Sequence, residues 1–335
     1  MKIDFLKSTL LVGFIFLLIF LTAGAVFFYT KALAPVDLSL TADKVFVIAP
    51  GEGLTSISRR LKEAGLIRNK TVFLFQVRHM GLSRQIQAGG FHLSPSRGLK
   101  EIIENLTVGS FDVWVIIIPG MRTEQIAGQL KDKLSVFTPG WSKKLSEKEG
   151  YLWPDSYLVP QKATLEKFLA IVAKNYQRKM AGGIGEEIIE KNFDEKELII
   201  LASLVEREAK FFEDKQAVAG VLLNRLREDW PLQVDATVQY ALANQRCEKG
   251  SFSPGCQWWP MVTQKDLKEI KSPYNTYLYK GLPPAPICNP SSDSLKAVLE
   301  AVDTNYWYYI SDVEGRIHLA ETIEEHQANI KRYLE

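Results

Sequence analysis

Two glutamates, Glu206 and Glu208, stand directly after a run from Leu198 to Val205 that carries no charge. A helix that is apolar on every side is buried on every side. A carboxyl at the end of such a helix pairs with a cation, reaches water, or holds its proton more tightly than usual. The last case makes a general acid, a group able to protonate a leaving oxygen near neutral pH. Glu206 follows Ala202 and Ser203 by one helical turn and Ile199 by two, and these small residues leave room for a groove beside it. The competing reading is an ordinary ion pair of either glutamate with Arg207, Lys210 or Arg225. Spacing alone does not choose between Glu206 and Glu208.

Other polar residues stand where a substrate groove needs them. The segments WPLQVDATVQYAL, from Trp230 to Leu242, and SPYNTYLYKGLPPAPICNP, from Ser272 to Pro290, mix Tyr, Asn, Thr and Gln with prolines. Tyrosine faces and amide groups suit sugars, whose rings are apolar on the face and hydroxylated at the edge. A loop wrapped over an ordinary core is the plainer account of the same residues. Asp235 offers a second carboxylate, or an Asx-type turn onto Ala236–Thr237. The chain has four histidines, widely spread; His318 and His326 read as structural imidazoles, and no metal site is expected. Of the three cysteines, Cys247 and Cys256 flank the loop EKGSFSPG and either form a bridge or stay reduced, while Cys288 reads as a free thiol.

The elements that must position these residues fall in two parts. Val45–Ile48 reads as a strand, Leu54–Ala64 and Lys70–His79 as helices, Ile86–Leu93 as a strand bent at Gly89–Gly90, and Leu99–Leu106 as a third short helix. This strand–helix–helix–strand order resembles a LysM-like subdomain; a plain spacer is the alternative. The second part opens with a strand, Val113–Ile118, and a helix, Arg122–Lys131. EGYLWPDSYLVP, from Glu149 to Pro160, reads as a loop with anchored rings, and Ala163–Arg178 as a helix. Asp194 is a fitting N-cap for the helix that carries the two glutamates, and Gln216–Glu228 is a second amphipathic helix with Asn224–Arg225 inside its apolar run. A late hairpin pairs Tyr306–Ile310 with Arg316–Ala320, and Thr322–Glu325 forms a capping box for the last helix.

Ahead of both parts, Ser8–Tyr29 contains no charged residue and is long enough to cross a bilayer as a helix of about 20 residues. Lys2 and Lys7 precede it, which predicts a cytoplasmic N-terminus and places the rest outside. A cleaved signal peptide is the rival, but the apolar stretch runs on through Phe28, beyond a usual signal core. The net charge of +2, without a basic run, argues against a nucleic-acid binder. The expected fold is α+β: residues 1–7 cytoplasmic, a transmembrane helix at 8–29, a linker at 30–44, a LysM-like subdomain at 45–110, and a mainly helical catalytic domain with a late β-hairpin at 111–335.

The blocks LASLVEREA, VAGVLLNRL, PLQVDATVQYAL, SPYNTYLYKGLPPAPICNPS, HLAETIEEHQANIKRY and EGYLWPDSYLVP resemble those of the MltG/YceG-like endolytic murein transglycosylases, and together they cover nearly the whole chain. The resemblance implies a single-pass inner-membrane enzyme without cofactor. It would cut nascent peptidoglycan between N-acetylmuramic acid and N-acetylglucosamine and leave 1,6-anhydro ends. The resemblance places the single acid/base on Glu206, and it matches Gln233, Asp235, Thr237, Tyr274, Asn275 and Thr276 to polar positions expected to line the saccharide groove. It is also compatible with peptidoglycan synthases as partners. The chain departs from the family pattern at Pro119–Gly120–Met121, at Ala209, and around Cys247–Cys256. Two other functions remain open at this point: a muramidase using Glu206 with Asp235 and water, and a non-catalytic membrane-tethered scaffold that binds the wall.

Overall fold

The structure is a computed structural model. It describes residues 2–108, 111–247 and 255–334, with residues 2–15 and Val108 described through their backbone alone. The chain divides into two compact units, Met1–Trp114 and Val115–Glu335. The expected boundary at 110/111 touches residues outside the description.

The first unit begins with α1 (Lys2–Leu33), whose stretch Phe16–Leu33 is long and apolar enough to cross a membrane and is almost entirely unburied. Next come β1 (Lys44–Ile48), α2 (Leu54–Glu63), α3 (Lys70–His79), β2 (Gly89–Leu93) and α4 (Leu99–Val108). Strands β1 and β2 pair antiparallel, from Lys44 opposite Leu93 to Ile48 opposite Gly89. Helix α3 starts where the Asn69 side chain accepts from the backbone N–H of Thr71 and Val72, which satisfies two donors that no helical carbonyl reaches. Phe46, Ile57, Leu61, Phe73, Phe91 and Ile102 fill the core. Strand β3 (Asp112–Ile117) opens beside β2, with Asp112 opposite Gly90. A Cβ on Gly90 would lie 2.5 Å from the Asp112 carboxylate, so the expected bend at Gly89–Gly90 is also a close approach of two chains.

The segment expected as a linker is tied down. Helix α1 runs on to Leu33, and Ala32 is buried in the core of this unit. The Arg68 guanidinium then donates to the Pro35 and Val36 carbonyls at 2.8 Å each. Asp37 N–H donates to the Pro95 carbonyl, and Ser94 Oγ to that of Leu40. Arg68, Ser94 and Pro95, more than thirty positions away, supply these bonds, which is why local composition reads as a loose connection.

The second unit contains α5 (Thr123–Lys133), α6 (Gly140–Ser146), β4 (Asp155–Pro160), α7 (Leu165–Lys179), α8 (Gly185–Glu190), α9 (Glu195–Glu208), α10 (Phe212–Arg227), α11 (Asp235–Arg246), α12 (Gln264–Glu269), α13 (Ser292–Leu299), the hairpin strands β5 (Tyr308–Ser311) and β6 (Ile317–Ala320), and α14 (Ile323–Tyr333). Strand β4 corrects the reading of EGYLWPDSYLVP as all loop. Tyr157 and Val159 alternate inward from Asp155 on, and the two prolines stand before and at the end of the run, where a strand tolerates them. Helix α9 is enclosed as its composition requires, with every residue from Leu198 to Val205 buried, and it packs against α10 and α13. The expected capping of α14 forms with a shift: Thr322 accepts from Glu325 N–H, while Glu325 reaches back to the N–H of Glu321.

Arg122 is fully buried, paired with Glu124 at 3.1 Å and covered by the Tyr240 ring at 4.0 Å. Beside it, Glu149 accepts from Thr123 and Asn289, and burial together with the Glu124 charge pushes it up to about 8. Cys247 and Cys256 form a disulfide, with Cα atoms 6.2 Å apart. The residues between them lie largely outside the description. The bridge fastens the end of α11 to Trp258 and Trp259, whose rings cover Arg122 and Arg207. Cys288 is a buried free thiol, as expected.

Replacing both Cys247 and Cys256 by Ser should lower unfolding stability by about 2–3 kcal/mol, the loop-closure estimate for a ring of about ten residues. Denaturant titration of the oxidised protein beside the double variant measures this. Identical midpoints would mean the bridge adds nothing to the folded state.

Candidate active site

The two glutamates emerge at the end of α9, where its enclosure stops. Two positions along a helix is a rotation of about 200°, so their side chains leave in nearly opposite directions. They meet different surroundings.

Glu206 is enclosed by donors. Lys215 Nζ lies 3.2 Å from both carboxylate oxygens. Oε2 also accepts from Ser291 N–H at 2.9 Å, Ser291 Oγ at 2.5 Å and Ser294 Oγ at 2.6 Å. Ser291 is the N-cap of α13, so the carboxylate sits at the positive end of that helix. The side chains of Glu206 and Lys215 are only 9% and 7% exposed. The loop Pro119–Gly120–Met121 closes over this point. Gly120 has φ +77° and a Cβ there would come within 3.3 Å of Arg207, so the chain needs glycine at this place. The predicted groove beside Glu206 is thus occupied by an ion pair and a helix cap.

Glu208 points the other way. Its Oε2 accepts from the Tyr309 hydroxyl at 3.1 Å. Burial, reinforced by the nearby Asp235 carboxylate, pushes its pKa from 4.5 up to about 7, against the Tyr309 hydroxyl, the Ala236 N–H and the Arg207 charge. The Tyr309 hydroxyl is pushed well above its ordinary value by burial and by Glu208, so it remains a donor. Asp235 in turn accepts from the Tyr277 hydroxyl at 2.6 Å. The site therefore holds a carboxyl that titrates near neutrality, an exposed carboxylate beside it, and two phenols.

The loops reach this point for local reasons. In Leu232–Gln233–Val234–Asp235 the chain alternates: Leu232 and Val234 are fully buried, so Gln233 and Asp235 face outward. Gln233 adopts φ 53°, and its N–H donates to the Thr276 carbonyl. Thr237, Asn275 and Thr276, expected to line a groove, have their polar groups bonded within the protein. All three are buried. The Thr237 and Thr276 hydroxyls bond each other at 2.9 Å, and Thr276 Oγ1 accepts from Val234 N–H. Asn275 donates to the Leu267 and Ile270 carbonyls and accepts from Tyr277 N–H. They form the frame that holds Asp235 and Tyr277 in place. Tyr274 packs its ring on Tyr240 at 4.7 Å.

Tyr277, Tyr309, Lys215, Ser291 and Ser294 are site residues that sequence reasoning passed over. Tyr277 lies in the same block as Tyr274 to Thr276, and the turn set by Asn275 decides which phenol faces out. Ser291 and Ser294 stand three apart ahead of an apolar run, an N-cap signal that was available. His318 bonds Asp312 at 2.8 Å and stacks on Tyr333, while His326 stacks on Tyr308. Among the described residues no cluster of His, Cys, Asp or Glu is arranged to hold a metal ion.

The model of the YceG-like family matches residues 46–332. The chain belongs to the YceG-like family. Similar YceG-like proteins include the endolytic murein transglycosylase of Bacillus subtilis (strain 168), 28% identical, with 94% of this chain and 91% of that protein covered. The endolytic murein transglycosylase of Streptococcus pneumoniae serotype 2 (strain D39 / NCTC 7466) is 27% identical, with 96% of this chain and 65% of that protein covered. A crystal structure of a yceG-like protein from Listeria monocytogenes aligns with a TM-score of 0.51 at 26% identity, covering 85% of this chain and 98% of that one. The resemblance of the sequence blocks to this family is borne out.

The contrast between the two glutamates is measurable in stability. The folded state raises the Glu208 pKa from 4.5 to about 7, so this group's contribution is full below pH 4.5 and is lost as pH rises through 7. Glu208→Gln should therefore gain on wild type between pH 4 and pH 8, by on the order of 1 to 3 kcal/mol. At neutral pH Glu206→Gln should destabilise by about 3–5 kcal/mol, because Lys215 is left buried beside a neutral amide. Chemical denaturation at several pH values checks both. Parallel pH profiles for Glu208→Gln and wild type would refute the raised acid.

Proposed function

We propose that this chain is a membrane-anchored endolytic murein transglycosylase whose acid/base is Glu208. It cleaves glycan strands between N-acetylmuramic acid and N-acetylglucosamine. The single observation that carries the assignment is the pair of opposed environments at the end of α9. Glu208 holds a proton up to about pH 7, whereas Glu206 is enclosed by Lys215, Ser291 and Ser294. The matching relatives bear the name endolytic murein transglycosylase, which supports the substrate class.

The chemistry needs one carboxyl used twice. Protonated Glu208 donates to the glycosidic oxygen as the bond from C1 of the muramic sugar to that oxygen breaks. The sugar's own 2-acetamido group stabilises the developing cation at C1, a substrate-assisted route. The Glu208 carboxylate then takes the proton of the 6-hydroxyl while its oxygen closes on C1. The proton balance is restored, no water is consumed, and the product ends in a 1,6-anhydro ring. Asp235 and Gln233 face outward beside Glu208 and are placed to bind sugar hydroxyls. Tyr309 and Tyr277 hold the two carboxyls at fixed angles. Thr237, Asn275 and Thr276 support Asp235 and Tyr277 from behind, and Glu206 fixes the last turn of α9.

A muramidase is the second reading, favoured by the exposed Asp235 carboxylate, which could activate water. The first unit supports a LysM-like wall-binding role through its β1–α2–α3–β2 order and a cavity of about 380 Å³ lined by Thr55, Ser56, Arg59, Lys70 and Thr71. Helix α1 supports an anchor with the N-terminus in the cytoplasm and both units outside. Synthases of the nascent strand are the partners such a location would offer.

Glu208→Gln should reduce turnover of purified glycan strands by about two to four orders of magnitude while the protein stays folded. Mass spectrometry of the products should find 1,6-anhydro ends on muramic acid. Reducing ends would instead establish the muramidase. An Glu208→Gln variant with near wild-type rate would remove Glu208 from the mechanism.

A further inference from the structure

We propose that the outer face of α3, centred on Phe75, rests in the headgroup layer of the bilayer from which α1 emerges. The proposal rests on reading α1 as a membrane anchor. It adds that the first unit lies on the lipid surface instead of hanging from a free tether.

The end of α1 is part of the folded unit. Ala32 is buried in the core, with Tyr29 and Leu33 packed against it. The Tyr29 hydroxyl donates to Gln76 Oε1 at 2.7 Å, and its ring meets Phe75 edge-on at 6.1 Å. Beyond Leu33, Arg68 clamps Pro35 and Val36, and Asp37 N–H bonds the Pro95 carbonyl. The unit therefore cannot swivel about the anchor without breaking these bonds.

Depth follows from helix geometry. The apolar stretch of α1 ends at Leu33. Tyr29 is one turn earlier, about 6 Å along the axis. If the apolar stretch fills the hydrocarbon, its last turn lies at the boundary with the headgroups. Phe75 touches Tyr29 and is held at that depth.

The chemistry of the face fits the position. Phe75 is 56% exposed. The exposed His79 ring stacks on it at 5.9 Å. Arg78, three positions beyond Phe75, is exposed on the same side of the helix, which contains no Asp or Glu. An aromatic ring with a cation beside it is a composition that settles at a lipid boundary carrying anionic headgroups.

The test uses the full chain in vesicles of phosphatidylcholine and phosphatidylglycerol. Single variants Phe75→Cys and Phe20→Cys are labelled with an environment-sensitive fluorophore; the native cysteines do not compete, being bridged or buried. Each is challenged with a nitroxide on the lipid headgroup, a nitroxide on the acyl chain, and acrylamide in water. Phe20 should be quenched by the acyl-chain probe. Phe75 should be quenched several-fold more by the headgroup probe than by acrylamide. Quenching of Phe75 mainly by acrylamide, with Phe20 still in the acyl region, would overturn the surface contact and leave the anchor standing. Protection of Phe75 from all three probes would mean that a second copy or another protein covers the face, which also overturns it. Phe20 open to acrylamide would overturn the anchor reading itself.

Discussion

The bond network around the Glu206 carboxylate is the constraint on which the site depends. Helix α9 has no charge for more than two turns and is enclosed by its neighbours, and along that length Ser203, whose Oγ accepts from Ile287 N–H, is its polar tie to another segment. The charged anchor comes at its end, where Lys215 of α10 and the N-terminus of α13 converge on Glu206. That convergence determines how far the helix is turned about its axis. Once it is set, the direction of Glu208 two residues later is set as well. A buried carboxylate with a lysine on one side and a helix N-terminus on the other is costly to desolvate, and the compensation is geometric specificity.

The same geometry gives two neighbouring glutamates different surroundings. The side of α9 that faces α13 is rich in donors, because a helix start exposes unsatisfied N–H groups and α10 contributes an ammonium. The opposite side faces the outward positions of an extended segment and a hairpin tyrosine. There the neighbours of Glu208 include another carboxylate, Asp235, and the balance shifts toward the protonated form. Arg207 between them lies over the Trp259 ring at 4.0 Å and so is drawn away from acting as a tight partner to Glu208. One helical turn thus carries both an ion pair that locks the structure and an acid that stays available.

Much of this was legible in the residues before any coordinates. The enclosed run from Leu198 to Val205, the strand–helix–helix–strand order, the hairpin and the late N-cap all follow from periodicity and turn chemistry, and the structure reproduces them within a residue or two at most ends. The contrast between the surroundings of Glu206 and Glu208 did not follow, because it depends on Lys215, Ser291 and Ser294, which arrive from 9 to 88 positions away. The internal bonding of Thr237, Asn275 and Thr276 was hidden for a related reason. Polar residue types mark a groove when their partners are ligands and mark a frame when their partners are backbone, and sequence does not say which. The tied segment after α1 was hidden because an arginine from another loop, Arg68, holds it. In each case the missing information was a long-range polar contact, whereas apolar periodicity, a local property, was read correctly.

Polar residues inside apolar helices complete the logic. Asn224 and Arg225 interrupt the buried face of α10, and each is occupied by loop carbonyls. Asn224 donates to those of Thr304 and Tyr306, and Arg225 to those of Leu232 and Trp307. A buried carbonyl without a partner is expensive, so these two side chains are what allow the loops to lie against the core at all. The loops they hold are those that lead into Gln233–Asp235 and into the strand bearing Tyr309. An acid whose proton affinity depends on a neighbouring carboxylate and a phenol needs both at fixed distances, since charge interactions change steeply over an ångström at short range. Rigid loop attachment through α10 is therefore a condition for the raised Glu208, and the helix that clamps Glu206 through Lys215 is the same helix that supplies it.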